Sequence, residues 1–244
     1  MELIQSFLTE NPCYQANLRR ADARYVRFQD EGPKGLMLHS VGCAQSSAAV
    51  FVNRWNKPTY TNACVHAFID ADTGAVWQTL PWNYRGWHCG SGTKGSANDS
   101  HCGIELCESR YIKYGSGAAF TLLDPEQALA DCRRSYESAV ALFARLCLDY
   151  GIDPMSGILS HREGGKLGLA SGHVDPEHYW QGVGATYTMD GFRAAVKQRM
   201  QSAAPAPDGP LYRIQVGAFR NRAYAEAYLK QVQAHFPGAF LKTE

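Results

Sequence analysis

Apolar and polar positions divide this chain into segments with different periods. GLMLHS (35–40) is a short apolar run entering a loop and predicts a strand. SSAAVFVNRW (46–55) fits a short helix capped by Ser46 or Ser47. VHAFID and AVWQTL, separated by the turn ADTG, form a hairpin signal. HCGIELCE (101–108) alternates, with Ile104 and Leu106 to one side and Glu105 and Cys107 to the other. From Pro125 to Tyr150 the period becomes helical: Cys132, Tyr136, Ala139, Phe143, Leu146 and Tyr150 share a stripe. Asp124 is the expected cap, with Pro125 at the first helical position, Gln127 three residues after the cap, and Gly151 as the stop. GILSH (157–161) predicts a short buried strand, and a further helix is expected over 190–202.

Two stretches break the pattern. SHREGGKLGLASGHVDP (160–176) reads as a glycine-rich surface loop, yet it carries His161, His173 and Asp175. SAAPAPDGP (202–210) is a linker by composition. Beyond it a strand (211–219), a helix (221–236, with Asn221 as cap) and a second strand (238–242) make one βαβ unit, too small in apolar area to be stable alone. The expected division is a main domain over 1–201, a linker over 202–210 and the small unit over 211–244.

Composition narrows the classes. A chain of 244 residues, 45% hydrophobic, can build a real core. A formal net charge of +1 gives no field for nucleic acid. MELIQSFLTENPCY has no basic leader, and no segment is apolar enough to span a bilayer, so the chain is expected to be made in the cytoplasm without a signal peptide. The eight cysteines read as reduced, mostly buried thiols. The pairs His88–Cys89 and His101–Cys102 lack the CxxC spacing of a structural zinc site.

The candidate chemistry lies at strand ends. His39 closes one short apolar strand, His161 closes another, and Asp175 follows in the loop. Zinc hydrolases take such imidazoles and carboxylates from separate elements and keep one position open. Each histidine taken singly also fits a structural role, and Asp in a glycine-rich loop also fits a turn.

LMLHSVG, VHAFIDADTGAVWQTLPWNYRGWHCG, NDSHCGIELCE and GILSHREGGKLGLASGHVDPEHYW, in that order, resemble the type-2 N-acetylmuramoyl-L-alanine amidases, over about residues 30–185. LTENPCY and HSVGCAQSSAAVFVNRWN look particularly like phage-borne endolysins of Gram-positive hosts. The resemblance implies an α/β fold, a central mixed sheet flanked by helices, shared with peptidoglycan recognition proteins and T7-type lysozymes. It implies Zn²⁺ held by His39, His161 and Asp175, Glu105 as general base, and His173 as oxyanion donor, with Lys166 the alternative donor. Where some relatives carry a participating tyrosine, this chain has Val65. His66, Trp87, His88 and Asn98 would contact substrate, with a turn role for Asn98 and a core role for Trp82 as equal alternatives. Glu108 is expected to be a solvated strand end.

The implied partner is cell-wall peptidoglycan, cut between N-acetylmuramic acid and L-alanine after holin-mediated release. A non-catalytic peptidoglycan-recognition module is the alternative. YRIQVGAF with NRAYAEAYLK resembles the first half of a SPOR-like repeat, which implies wall-glycan binding or a homodimer pairing two halves.

Overall fold

The computed structural model describes residues 2–203, 217–233, 236 and 239–241, and packing separates the chain into residues 1–204 and 205–244. The first unit opens with β1 (Leu3–Gln5), α1 (Pro12–Leu18) and α2 (Ala23–Glu31). Then come β2 (Gly35–Ser40), α3 (Ala48–Trp55), β3 (Ala67–Ile69), β4 (Val76–Gln78) and β5 (His101–Leu106). A small hairpin of β6 (Ile112–Tyr114) and β7 (Phe120–Leu122) leads to α4 (Pro125–Tyr150). The unit closes with α5 (Pro154–Gly157), β8 (Ile158–Ser160), α6 (His161–Leu167), α7 (Glu177–Gly182) and α8 (Met189–Ala203).

The main sheet has the order β1-β4-β3-β5-β2-β8 and is mixed, as expected. β3, β5, β2 and β8 run parallel, whereas β4 folds back on β3 through the predicted hairpin. Its alternation sorts side chains onto two faces. Leu36, Leu38, Ala67, Ile69, Ile104, Leu106 and Ile158 pack with α4, α7 and α8 in one continuous core. On the other face Phe68 lies under Phe51 and Trp55 of α3, and Met37 packs against Cys89, Ala97 and Ala170. His39 of β2 and Glu105 of β5 occupy that second face.

α4 starts and stops where the pattern places it: the Asp124 carboxylate accepts from the Gln127 amide at 3.1 Å, and Gly151 takes the left-handed conformation (φ 64°). Such a cap contributes about 1 kcal/mol. The α3 cap differs from expectation. Ser47 makes no side-chain cap bond; Asp70, at the end of β3, accepts from the Ala48 amide at 3.0 Å, so a strand end supplies what the local sequence does not.

The glycine-rich stretch is also corrected. Residues 161–167 are helical, opened by a capping box in which Ser160 accepts from the Glu163 amide and Glu163 from the Ser160 amide. Glu163 is further held by Arg193 of α8.

Most of the expected linker and both expected C-terminal strands lie largely outside the described residues. The second unit shows α9 (Arg222–Gln233), capped by Asn221, which accepts from the Ala223 amide at 2.9 Å. Among the described residues no helix is long and apolar enough to cross a membrane.

Candidate metal centre and active site

Parallel register builds the site. Phe68 pairs with Glu105 and Glu105 with His39, so these three form one row across β3, β5 and β2 on the face away from α4. Leu38 pairs with Ser160, and one further residue brings His161 beside His39. Their Nδ1 atoms are 3.0 Å apart. Asp175 returns from the loop after α6, with Oδ2 3.3 Å from His39 Nδ1 and 3.6 Å from His161 Nδ1. All three residues are buried, and they form a cluster of metal-ligating type.

Hydrogen bonds behind the rings set which nitrogen faces the cluster. His88 Nε2 donates to the His101 carbonyl at 3.0 Å, leaving His88 Nδ1 to accept from His39 Nε2, also at 3.0 Å. His39 Nδ1 is then a bare lone pair. Ser171 donates to the Cys89 carbonyl at 3.1 Å and accepts from His161 Nε2 at 3.3 Å, which bares His161 Nδ1 in the same way. Burial lowers the pKa of His39, and burial with neighbouring His39 and His66 lowers that of His88, so both rings stay neutral. Burial works to raise the Asp175 carboxyl, but the imidazoles of His161, His173 and His39 around it outweigh burial and hold it well below the usual carboxylate range.

These residues fit a zinc ion. Two bare nitrogen lone pairs 3.0 Å apart repel unless a cation stands between them. A tetrahedral ion with ligands about 2.0–2.1 Å away would have ligand–ligand edges of about 3.3 Å, in the middle of the three observed separations. Relays behind metal-binding histidines are the usual means of fixing tautomer and orientation.

Glu105 sits beside this cluster with Oε2 buried and without a hydrogen-bond partner. Burial, then the charges of Asp175 and Glu108, push its carboxyl well above the usual range. His173 stacks on His161 with ring centroids 4.1 Å apart, and its Nδ1 lies 3.4 Å from Asp175 Oδ1. Its side chain is 56% exposed, and the bond to Asp175 raises its pKa.

Against this geometry, residues 29–178 match the family described as Amidase_2, N-acetylmuramoyl-L-alanine amidase. The chain belongs to that family. A second match, to the SPOR domain, covers residues 183–243. The chain is similar to the N-acetylmuramoyl-L-alanine amidase CwlA of a Bacillus species, at 30% identity over 103 residues, which is 42% of this chain and 34% of that protein. It is also similar to the amidase CwlH of Bacillus subtilis, 45% identical over 38 residues, or 16% of this chain and 15% of that protein. The aligned stretches thus span 34% and 15% of these relatives. Among solved structures, its fold resembles Staphylococcus aureus hydrolase AmiA in complex with its ligand (TM-score 0.55, 18% identity, 82% of this chain and 83% of that one). It also resembles the catalytic domain of XlyA (TM-score 0.51, 22% identity, 80% and 99%).

The residues expected to contact substrate are largely packed into the fold. His66 has no exposed surface; its Nε2 donates to the Tyr84 carbonyl at 2.7 Å and its Nδ1 accepts from the Gly103 amide at 3.1 Å, so it is a satisfied structural histidine. Trp87 packs with the α3 cluster and donates its indole N–H to Tyr25 at 2.9 Å. His88 is buried behind His39 and holds it rather than reaching a cleft. The Asn98 side-chain Oδ1 accepts from the His88 and Cys89 amides at 2.8 and 3.2 Å, so Asn98 positions the His88 loop. Trp82 packs on the core and stacks over His66.

Glu108 is not a solvated end. It is fully buried, accepts from the Gly42 amide at 3.1 Å and the Tyr114 hydroxyl at 2.6 Å, and burial pushes its pKa up to about 7. His178 Nε2 meets the same hydroxyl at 2.8 Å. Among the described residues the His–Cys pairs form no metal-ligating cluster: Cys89 donates toward the Asn98 side chain and Cys102 toward the Trp82 carbonyl. Sequence reasoning missed Ser171, which holds His161; its only signal is a hydroxyl two residues ahead of His173 in a loop that must return to the strand ends.

Proposed function

We propose that this chain hydrolyses the amide between the lactyl group of N-acetylmuramic acid and L-alanine in peptidoglycan. The observation that supports it is a buried His39–His161–Asp175 cluster with the unpartnered carboxyl oxygen of Glu105 beside it. Zinc held by those three residues would supply Lewis acidity toward the carbonyl and the attacking water. Glu105 takes the proton of that water and delivers it to the departing alanine amine, and burial, by raising its carboxyl, makes the carboxylate a stronger base for that transfer. His173, at the rim and biased toward its protonated form by Asp175, donates to the oxyanion. His88 and Ser171 keep the two ligand rings in place.

The resemblance to phage-borne endolysins supports the Gram-positive cell wall as the substrate, reached from the cytoplasm through a holin. The SPOR match offers a second hold on the wall. It takes in α8, which packs on α4, and so does not single out residues 211–244 as half a module; the homodimer reading is not carried further.

The test is digestion of purified Gram-positive peptidoglycan by the zinc-loaded protein and a chelated control, read by mass spectrometry. Zinc-dependent release of stem peptides with a free alanine amine, from intact glycan, is the expected result. Tight binding without new amines would replace hydrolysis with recognition.

A further inference from the structure

A cleft of about 350 Å³ opens beside the metal cluster, lined by Arg162, Gly165, Lys166, Gly172, His173 and Val174. Among the described residues its only ionisable side chains are two cations and an imidazole, with no carboxylate in the lining. Arg162 and Lys166 stand four residues apart on α6 and so project from one helix face. Of the nearby carboxylates, Glu163 pairs with Arg193 and Asp175 faces its histidines, while Glu177 accepts from the Ser160 hydroxyl through one oxygen and feels the Arg162 charge without pairing with it. Among the described residues neither Arg162 nor Lys166 has an ion-pair partner. His173 belongs to both places, since its ring stacks on His161 and also lines the cleft.

We infer that this cleft is a carboxylate-binding subsite for the peptide arm of the substrate, with Arg162 and Lys166 setting which way round the substrate lies. The inference rests on the amidase reading. The two arms leaving the scissile amide differ chemically: N-acetylated sugars are neutral, whereas the stem peptide carries carboxylates. A cationic cleft that reaches the metal cluster through His173 therefore selects the peptide arm and leaves the opposite side to the sugar. Arg162 suits a bidentate grip on a carboxylate, and Lys166 adds a movable point charge. Gly172 forms open wall there, since a Cβ on it would meet nothing within 4 Å.

The probes are N-acetylmuramoyl-L-alanyl-γ-D-glutamyl-L-lysine amide, whose one carboxylate is the glutamyl α-carboxyl, and the same compound with that carboxyl amidated. Binding is measured by calorimetry on full-length, zinc-loaded Glu105→Gln protein, so that affinity is read without turnover. The carboxylate form should bind about tenfold more tightly than the amide, with the preference shrinking as salt is added. Arg162→Gln/Lys166→Gln should bring the two affinities together. Gly172→Leu, which fills the cleft without altering charge, should weaken both. Equal affinities in the unaltered cleft, or a preference that survives the double charge substitution, would overturn the subsite. Kinetics on the Glu105 protein separate Lys166 from an oxyanion role: an anchor raises KM for the carboxylate form alone, whereas a kcat loss on both forms overturns its assignment here. If discrimination in binding persists but neither compound is cut, the subsite stands and the hydrolytic reading falls.

Discussion

The two faces of the central sheet carry the same strands and opposite duties. On the α4 side, Leu36, Leu38, Ile104 and Leu106 are fully buried among apolar neighbours, and their packing holds the strands in register. One residue over, His39 and Glu105 point to the other face, where two smaller apolar clusters leave a polar gap between them. Stability is concentrated on one face, so the other can hold buried ionisable groups whose partners are incomplete. Glu105 Oε2 without a partner is the clearest cost of that division.

Substitutions on the two faces should separate activity from stability. Asp175→Ala should abolish hydrolysis and zinc retention, measured as metal content after dialysis. Glu105→Gln should retain zinc and lower turnover about 10²–10⁴-fold, as loss of a general base does; near-wild-type turnover with zinc bound would remove Glu105 from its role. On the opposite face, Leu38→Ala should cost about 2–5 kcal/mol in denaturant unfolding while the folded fraction keeps its specific activity. If activity per folded molecule collapses as well, the faces are not independent.

Smaller effects sharpen the boundary. His88→Ala should weaken zinc binding about 10–100-fold without removing any proposed ligand, because His39 loses the acceptor that orients it. A competition titration with a chelating dye reads this directly. Glu108 gives the smallest effect. Its folded pKa of about 7 lies above the ordinary 4.5, so the folded chain holds that proton more tightly. The stabilisation is complete below about pH 4.5 and is lost as pH rises through about 7. Relative to wild type, the Tm of Glu108→Gln should therefore climb between pH 5 and pH 8, by about 2–4 °C for each kcal/mol recovered. A flat difference would mean Glu108 is not protonated in the folded state near neutrality.

Much of this architecture was legible before any coordinates. The alternation of Ile104, Glu105, Leu106 and Cys107 already assigned two faces to β5, and Asp124 and Gly151 already bounded α4. These signals are local: a period of two, a cap and a left-handed stop act between neighbours in sequence. The capping box Ser160–Glu163 was equally local, but the run of glycines around it obscured the helix it opens. The convergence of His39, His161 and Asp175 followed from family resemblance, since no spacing along the chain brings residues 122 apart to 3.0 Å.

The tertiary structure alone decided what stands behind and around those residues. His66, His88 and Glu108 look like any polar residue near a strand end until neighbouring strands and the β6–β7 hairpin close over them. His88 became the support of His39 because the His101 carbonyl occupies its other nitrogen. Glu108 became buried because Tyr114 and Gly42 reach it from elsewhere in the chain. Period and capping are properties of consecutive residues, so sequence determined the elements and the faces. Tautomer, burial and the sharing of one cleft by Arg162, Lys166 and His173 depend on which distant atoms meet, and only the folded chain chooses those.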